Sequence, residues 1–356
     1  FNVAACAALI PSISKEFGTP AFITGRIIWL YMLPYGITAL LYGPLVRAFD
    51  AKNVELICMS LFSLANLLAG LAKNIQTLFL ARFLMGVFGA SVIPLALILI
   101  AGHITGPNRG KFVGLFFSAT FVASLLGLFL SGIVHWRLIF FIPATLGLIT
   151  CILIYFYLPS FKPDVVGFKI NYLAAFRNRA IIALFTYIFL ISMFYHAIQQ
   201  WLGVYFFAQY GFSQFLISML ITLTSLSGIF GEAIGGRLSD SLGRLKTVNL
   251  GIILMIVSVF TLFFKVPLLI LIILMLTWGA GWTFNHAGIS TILTDLPKEF
   301  LNEAASLNSS VRFISGGLGA AAGGLLMQKS FDLGFLFFGT CLLCLLFLTR
   351  RVLVKA

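Results

Sequence analysis

Long runs of apolar residues alternate with short polar breaks along the whole chain. The runs fall at about 1–13, 26–46, 54–72, 77–100, 112–134 and 137–157, and again at 180–207, 214–236, 247–265, 267–293, 304–328 and 332–349. A helix needs about 20 mostly apolar residues to cross a bilayer. The pattern therefore predicts an all-α membrane protein with twelve transmembrane helices in two pseudo-symmetric bundles of six. The first run is short for a crossing and the chain opens on Phe1, so further turns of helix 1 are expected before it. Neither a basic leader nor a small-residue cleavage pattern precedes Pro11, so the run does not read as a cleavable signal. The longest polar stretch, 158–179, holds Lys162, Asp164, Lys169, Arg177 and Arg179. It reads as a cytoplasmic linker between an N-terminal bundle, 1–157, and a C-terminal bundle, 180–356.

Composition narrows the class further. The chain is 61% hydrophobic and 9% charged, with a mean hydropathy of +1.09, where soluble domains carry about 25% charged residues. A soluble fold and a disordered chain are both excluded. The net charge of +13 does not point to nucleic acid, because the basic residues are scattered through short loops rather than gathered on a face. Their distribution sets topology instead: placing both termini in the cytoplasm puts fifteen Lys and Arg on that side and six on the other. The expected location is a bacterial inner membrane. All five cysteines lie in apolar runs, where thiols behave as small hydrophobes, and no disulfide, metal or cofactor is implied. The four histidines and ten acids assemble no catalytic constellation and no phosphate-binding loop is present, so an enzyme is not expected.

The two sets repeat one another. Gly43-Pro44-Leu45-Val46-Arg47-Ala48-Phe49-Asp50 follows the second run, and 193 residues later Gly236-Arg237-Leu238-Ser239-Asp240-Ser241-Leu242-Gly243 follows the eighth; the same offset carries Gly86 onto Gly279. Such repeats are a common transporter plan, with the substrate site between the halves. Residues 236–246, ending Gly243-Arg244-Leu245-Lys246, match the loop signature G-x-L-x-D-x-x-G-R-x-K, and the chain here resembles the major facilitator superfamily. Gly236 would let helices approach, Asp240 would sit at a helix end near cations, and Gly243 would permit a tight turn before Arg244. The resemblance implies a latch made of Gly236, Asp240, Gly243 and Arg244; a solvated turn that only sets topology is the competing reading. The first-half copy departs from the pattern, with Arg47 at the Asp position and Asp50 at the second Gly position.

Other motifs follow the same family. Leu78 to Ala90, with Arg82, Gly86 and Gly89, is similar to its L-x-x-x-R-x-x-x-G-x-x-G-A helix, which implies proton or anion handling by Arg82; an Arg snorkelling to the interface is the alternative. Trp136-Arg137 and Phe140 match W-R-x-x-F and read as interfacial anchors. Ala123 to Gly132 keeps only part of the antiporter signature G-x-x-x-G-P-x-x-G-G, which weakens the case for export. Leu9-Ile10-Pro11, Glu16-Phe17-Gly18, Trp29 and Tyr31 resemble the start of twelve-helix drug and metabolite antiporters.

Ionisable residues inside the runs are functional candidates, because charge in lipid is costly. They are read as Arg82, His196, Glu232, His286 and Arg312, with Glu232 the one clear intramembrane acid. Glu232 either carries a proton or pairs with Arg312 or Arg237. The resemblance places helices 1, 4, 7 and 10 around a cavity, which makes Tyr195, His196, Gln199 and Gln200 substrate contacts, joined by Trp282 and Asn285 of helix 10, Tyr31 and Tyr35 of helix 2, and Arg82. Gly316, Gly317, Gly319, Gly323 and Gly324 read as a packing seam. The expected function is secondary active, alternating-access transport: proton-coupled export of a hydrophobic or amphipathic small molecule, with uptake or facilitated passage of a small organic metabolite as the alternative. A non-transporting sensor on the same fold is a third reading. Protons, a small-molecule substrate and the lipid bilayer are the expected partners, and a monomer suffices.

Overall fold

A computed structural model describes residues 1–103, 108–160, 178–294 and 301–353. Most of the 158–179 linker lies outside the described residues. Among the described residues every regular element is a helix. The first compact unit, Phe1–Lys169, contains α1 (Asn2–Phe17), α2 (Ala21–Thr24), α3 (Arg26–Ala48), α4 (Ala51–Gly70), α5 (Ile75–Gly89), α6 (Val92–His103), α7 (Asn108–Ser131) and α8 (Leu138–Tyr157). The second, Ile170–Ala356, contains α9 (Arg179–Gln199), α10 (Leu202–Tyr210), α11 (Gln214–Ser241), α12 (Arg244–Leu262), α13 (Leu268–Thr294), α14 (Leu301–Met327) and α15 (Phe331–Leu353). Nine helical stretches among the described residues are long and apolar enough to cross a membrane. Large apolar side chains such as Phe156, Phe230 and Phe347 stand exposed, as expected where hydrocarbon is the solvent.

Local chemistry explains where helices begin. Asp50 accepts from Asn53 N at 3.2 Å and caps α4, Asn74 caps α5 and Asn178 caps α9, each satisfying an amide that the first turn leaves unpaired. Asp50, which stands where the loop signature has glycine, thus has a helix-starting task of its own. Two runs expected to be continuous are broken: 77–100 divides into α5 and α6 around Ala90 and Ser91, and 180–207 divides into α9 and α10 around Gln200 and Trp201.

The internal repeat is visible in the packing of each unit. In the first, the main helix pairs are α1 with α7, α3 with α5, α4 with α5, and α4 with α8. In the second they are α9 with α14, α11 with α13, α12 with α13, and α12 with α15, the same plan one repeat later, with an added packing of α9 on α15 that is weak between α1 and α8. A shared glycine fixes one of these crossings. A side chain at Gly86 would meet the Tyr31 carbonyl and Pro34, and one at Gly279 would meet the Thr224 carbonyl and Ser227. The offset of 193 that relates the two glycines also carries Tyr31 onto Thr224 and Pro34 onto Ser227. The small-residue seam of α14 acts as expected: Gly319 and Gly323 face the Met193 and Ala197 carbonyls of α9, and Gly324 faces the Trp201 ring.

Candidate functional site

The last two turns of α9 carry Tyr195, His196 and Gln199, and one stripe of α13 carries Trp278, Trp282 and His286 at the four-residue spacing that aligns side chains. The stripes meet in an aromatic stack. Tyr195 lies over Trp282 with ring centroids 4.0 Å apart and over Trp278 at 5.1 Å, nearly parallel in both cases. His196 meets the Trp282 ring edge-on at 5.7 Å. Its Nδ1 is 2.8 Å from the Ser192 carbonyl; a carbonyl only accepts, so Nδ1 holds a hydrogen.

Gln199 serves this stack as scaffold. Its Oε1 accepts from Trp278 Nε1 at 2.7 Å and its Nε2 donates to Thr224 Oγ1 at 3.2 Å, so one buried amide joins α9, α13 and α11. Gln200 is half-buried at the α9–α10 break. Asn285 leaves the Trp282 face, contrary to the expectation from their spacing: it is buried, and Nδ2 donates to Tyr187 Oη at 2.6 Å. A three-residue step turns a helix past the stripe that the four-residue steps follow, which puts Asn285 into the packing of its own half.

Beside the stack lies a charged group of three. Glu232 Oε1 is 2.7 Å from His286 Nδ1, both side chains about a third exposed. The atoms are close without the alignment of a hydrogen bond. Arg312 of α14 is an electrostatic neighbour of Glu232, its guanidinium lies 5.7 Å from the Trp282 ring, and Nε donates to Asn308 Oδ1 at 2.9 Å. Its two terminal nitrogens are buried without a hydrogen-bond partner. The partner of Glu232 is thus His286, a pairing not anticipated from the sequence, while Arg312 is the more distant third member. Two apolar grooves of about 420 and 390 Å³ open elsewhere on this unit, against α15 and along α11, and hold none of these ionisable groups.

In the first unit Arg82 is buried, with 1% of its surface exposed. It does not snorkel: Nε donates to the Ile27 carbonyl at 2.9 Å and the guanidinium sits 4.4 Å from the Tyr31 ring centre. A delocalised cation over an aromatic face and a carbonyl in line with Nε hold the charge inside the bundle. Tyr35 packs against Tyr31 in a tilted pair with ring centroids 5.6 Å apart, so Arg82, Tyr31 and Tyr35 form one column. Pro34 between the tyrosines has no N–H to offer the preceding turn, and one turn on Thr38 Oγ1 donates back to the Pro34 carbonyl at 2.7 Å.

The loop motif between α11 and α12 is present with one change. Gly243 has φ 93° and ψ 150°, a region only glycine enters cheaply, and its carbonyl accepts from Thr247 Oγ1 at 3.1 Å. Asp240 and Arg244 are exposed. Gly236 has no neighbour within 4 Å of a would-be side chain, while Gly235 abuts Ala287 and Phe284, so within this unit Gly235 makes the close approach assigned to Gly236. Trp136 and Arg137 also differ from expectation. Trp136 is buried and donates to Glu16, and Arg137 donates to Glu16 Oε1 at 2.7 Å and to the Gly70 and Ala72 carbonyls at 2.8 Å. The pair closes a bundle end instead of anchoring at the lipid interface.

Sequence reading also missed an acid. Glu55, in the first turns of α4, is 6% exposed; it is the second residue of the run 54–72, beside the polar break before it, and α4 starts at Ala51 and buries it.

Comparison with known proteins agrees with this architecture. The profile described as Major Facilitator Superfamily matches residues 1–320. Multidrug resistance protein 1 of Bacillus subtilis is 24% identical over 336 residues, covering 92% of this chain and 86% of the relative. An uncharacterized MFS-type transporter of the same organism, YceJ, is 24% identical over 355 residues, covering 96% and 89%. Among solved structures, a D-xylose-proton symporter superposes with a TM-score of 0.81 at 14% identity, covering 99% of this chain and 94% of that one.

Proposed function

The chain belongs to the Major Facilitator Superfamily, a multi-pass integral membrane transporter and not an enzyme, and from that premise we propose that it exports a hydrophobic or amphipathic small molecule in exchange for protons. The reading places it in a bacterial inner membrane with both termini cytoplasmic. The observation that carries it is the aromatic stack of Tyr195, Trp278 and Trp282 beside the Glu232–His286 pair and Arg312. A flat, apolar or amphipathic solute stacks on Trp282 at little cost in ordering, since aromatic walls are rigid. His196 offers it a polar contact, and Arg312 offers donors.

Proton coupling follows from proximity. A proton arriving at Glu232 cancels the carboxylate charge next to His286 and Arg312, and so changes the potential that the solute feels on the same aromatic face. Transport requires that proton and solute favour different conformations. Glu232 is the proton carrier in this scheme, while Arg82 with Tyr31 and Tyr35 supplies the first half's polar column. The loop residues Asp240, Gly243 and Arg244 act as the latch that holds one conformation, with Gly235 in place of Gly236 at the close helix approach. The similarity to a multidrug resistance protein supports export.

A second reading, proton-coupled uptake or facilitated passage of a small metabolite, is favoured by the eroded signature at Ala123 to Gly132. The two are separated in sealed proteoliposomes with an internal pH dye, screening amphipathic cations against sugars, amino acids and organic anions. Proton exit on substrate entry is expected for the exporter. Proton movement with the substrate, or none despite flux, overturns export in favour of uptake.

A further inference from the structure

Glu55 is an acid that the scheme above does not use. The residue is buried, with 6% of its surface exposed, and Oε2 has no hydrogen-bond partner. The groups around it have little to offer a carboxylate. Ser91, at the α5–α6 break, is in hydrogen-bond reach of Glu55, yet the Ser91 hydroxyl donates to the Phe88 carbonyl at 3.0 Å. The Tyr42 hydroxyl of α3 donates to the Val87 carbonyl at 2.7 Å. Each hydroxyl has one hydrogen, and in each case a backbone carbonyl competes with Glu55 for it.

The charged and titratable groups on the helices packed against α4 complete the case. From α3, Tyr35 and Tyr42 face the site, and Cys58 of α4 borders it. Lys52 of α4 is turned away, with Nζ on the Tyr155 carbonyl at 2.9 Å. Arg82 of α5 is held by Ile27 and Tyr31. On α8, Cys151 meets Ser60 and Tyr155 receives Lys52, and α6 brings no titratable group among the described side chains. Among the described residues no cation is paired with Glu55. A buried, unpaired carboxylate is costly.

We propose that Glu55 is a second proton-binding site, located in the first half: it holds a proton while α3, α4 and the α5–α6 break close around it, and releases that proton to water, becoming a carboxylate, when they part. The inference is independent of which way the substrate moves. It is tested by infrared difference spectroscopy of the whole purified chain in lipid, over a pH series from mildly acidic to alkaline, with the proton alone as ligand. Wild type and Glu232→Gln are expected to show a protonated-carboxyl C=O band that disappears as pH rises, and Glu55→Gln is expected to lose that band. Should Glu55→Gln fail to fold, Glu55→Asp keeps the acid and is expected to shift the band in frequency rather than abolish it. A spectrum unchanged by the substitution overturns the proposal. So does a Glu55 band present at every pH, which marks a permanently protonated structural group.

Discussion

Arg137 ties three helices together through one side chain, reaching Glu16 at the end of α1 and the Gly70 and Ala72 carbonyls at the end of α4 from its own place before α8. The last carbonyls of a helix lack partners within it, and a cation there also opposes the helix dipole. Glu16 lies past the apolar run 1–13. Burial pulls its carboxyl up, but the Trp136 and Arg137 hydrogen bonds and the Arg137 and His135 charges outweigh that and leave it below the usual carboxylate range. A carboxyl lowered by folding stabilises the protein above its unfolded pKa of about 4.3, and the contribution disappears as pH falls through the lower folded value. Glu16→Gln is therefore expected to lower the thermal midpoint of the detergent-purified protein at neutral pH, by an amount that shrinks as pH is taken down through the carboxylate range. A gap independent of pH would assign the loss to geometry instead of charge.

Two elements cross at the same place in each half because the same glycine lets them. A methyl group at Gly86 or Gly279 meets a backbone carbonyl of the facing helix, Tyr31 or Thr224, and backbone cannot swing aside as a flexible side chain does. Gly86→Ala and Gly279→Ala are each expected to destabilise their half, by about 1–3 kcal/mol, the usual range for forced overpacking, despite the better helix propensity of alanine. Gly236→Ala meets nothing within 4 Å and is expected to leave the thermal midpoint unchanged or raise it. Equal melting of all three variants would remove the close crossing as the reason for the glycine repeat. Periodicity and motif spacing made the helices and the repeat legible, since an apolar run of sufficient length has few alternatives. The breaks at Ala90–Ser91 and Gln200–Trp201 follow local chemistry that run length alone does not read: Pro94 has no N–H to offer the Ala90 carbonyl, and Gln199 and Gln200 interrupt the apolar run. The site was half legible. Residue type marked Glu232, His286 and Arg312, whereas the Glu232–His286 contact joins α11 to α13, and the departure of Asn285 to Tyr187 depends on helix rotation, which spacing alone does not fix.

For the whole molecule, orientation is the property on which export and uptake are defined. On the twelve-helix reading, six crossings in each half would return the chain to its starting side, and corresponding loops would then face the same compartment. Lys73, after α4, and Lys265, after α12, follow the third crossing of their halves and are exposed, as is Lys246 at the start of α12. The excess of basic residues, fifteen against six, is concentrated on the side of Lys246, and cells retain positive loops in the cytoplasm. In a background without native cysteines, Lys73→Cys and Lys265→Cys are expected to react with a membrane-impermeant maleimide on intact cells, and Lys246→Cys only after permeabilisation. Labelling of Lys246→Cys alone on intact cells would invert the molecule. Reaction of Lys73→Cys without Lys265→Cys would break the equivalence of the halves, and with it the even number of crossings on which the orientation rests.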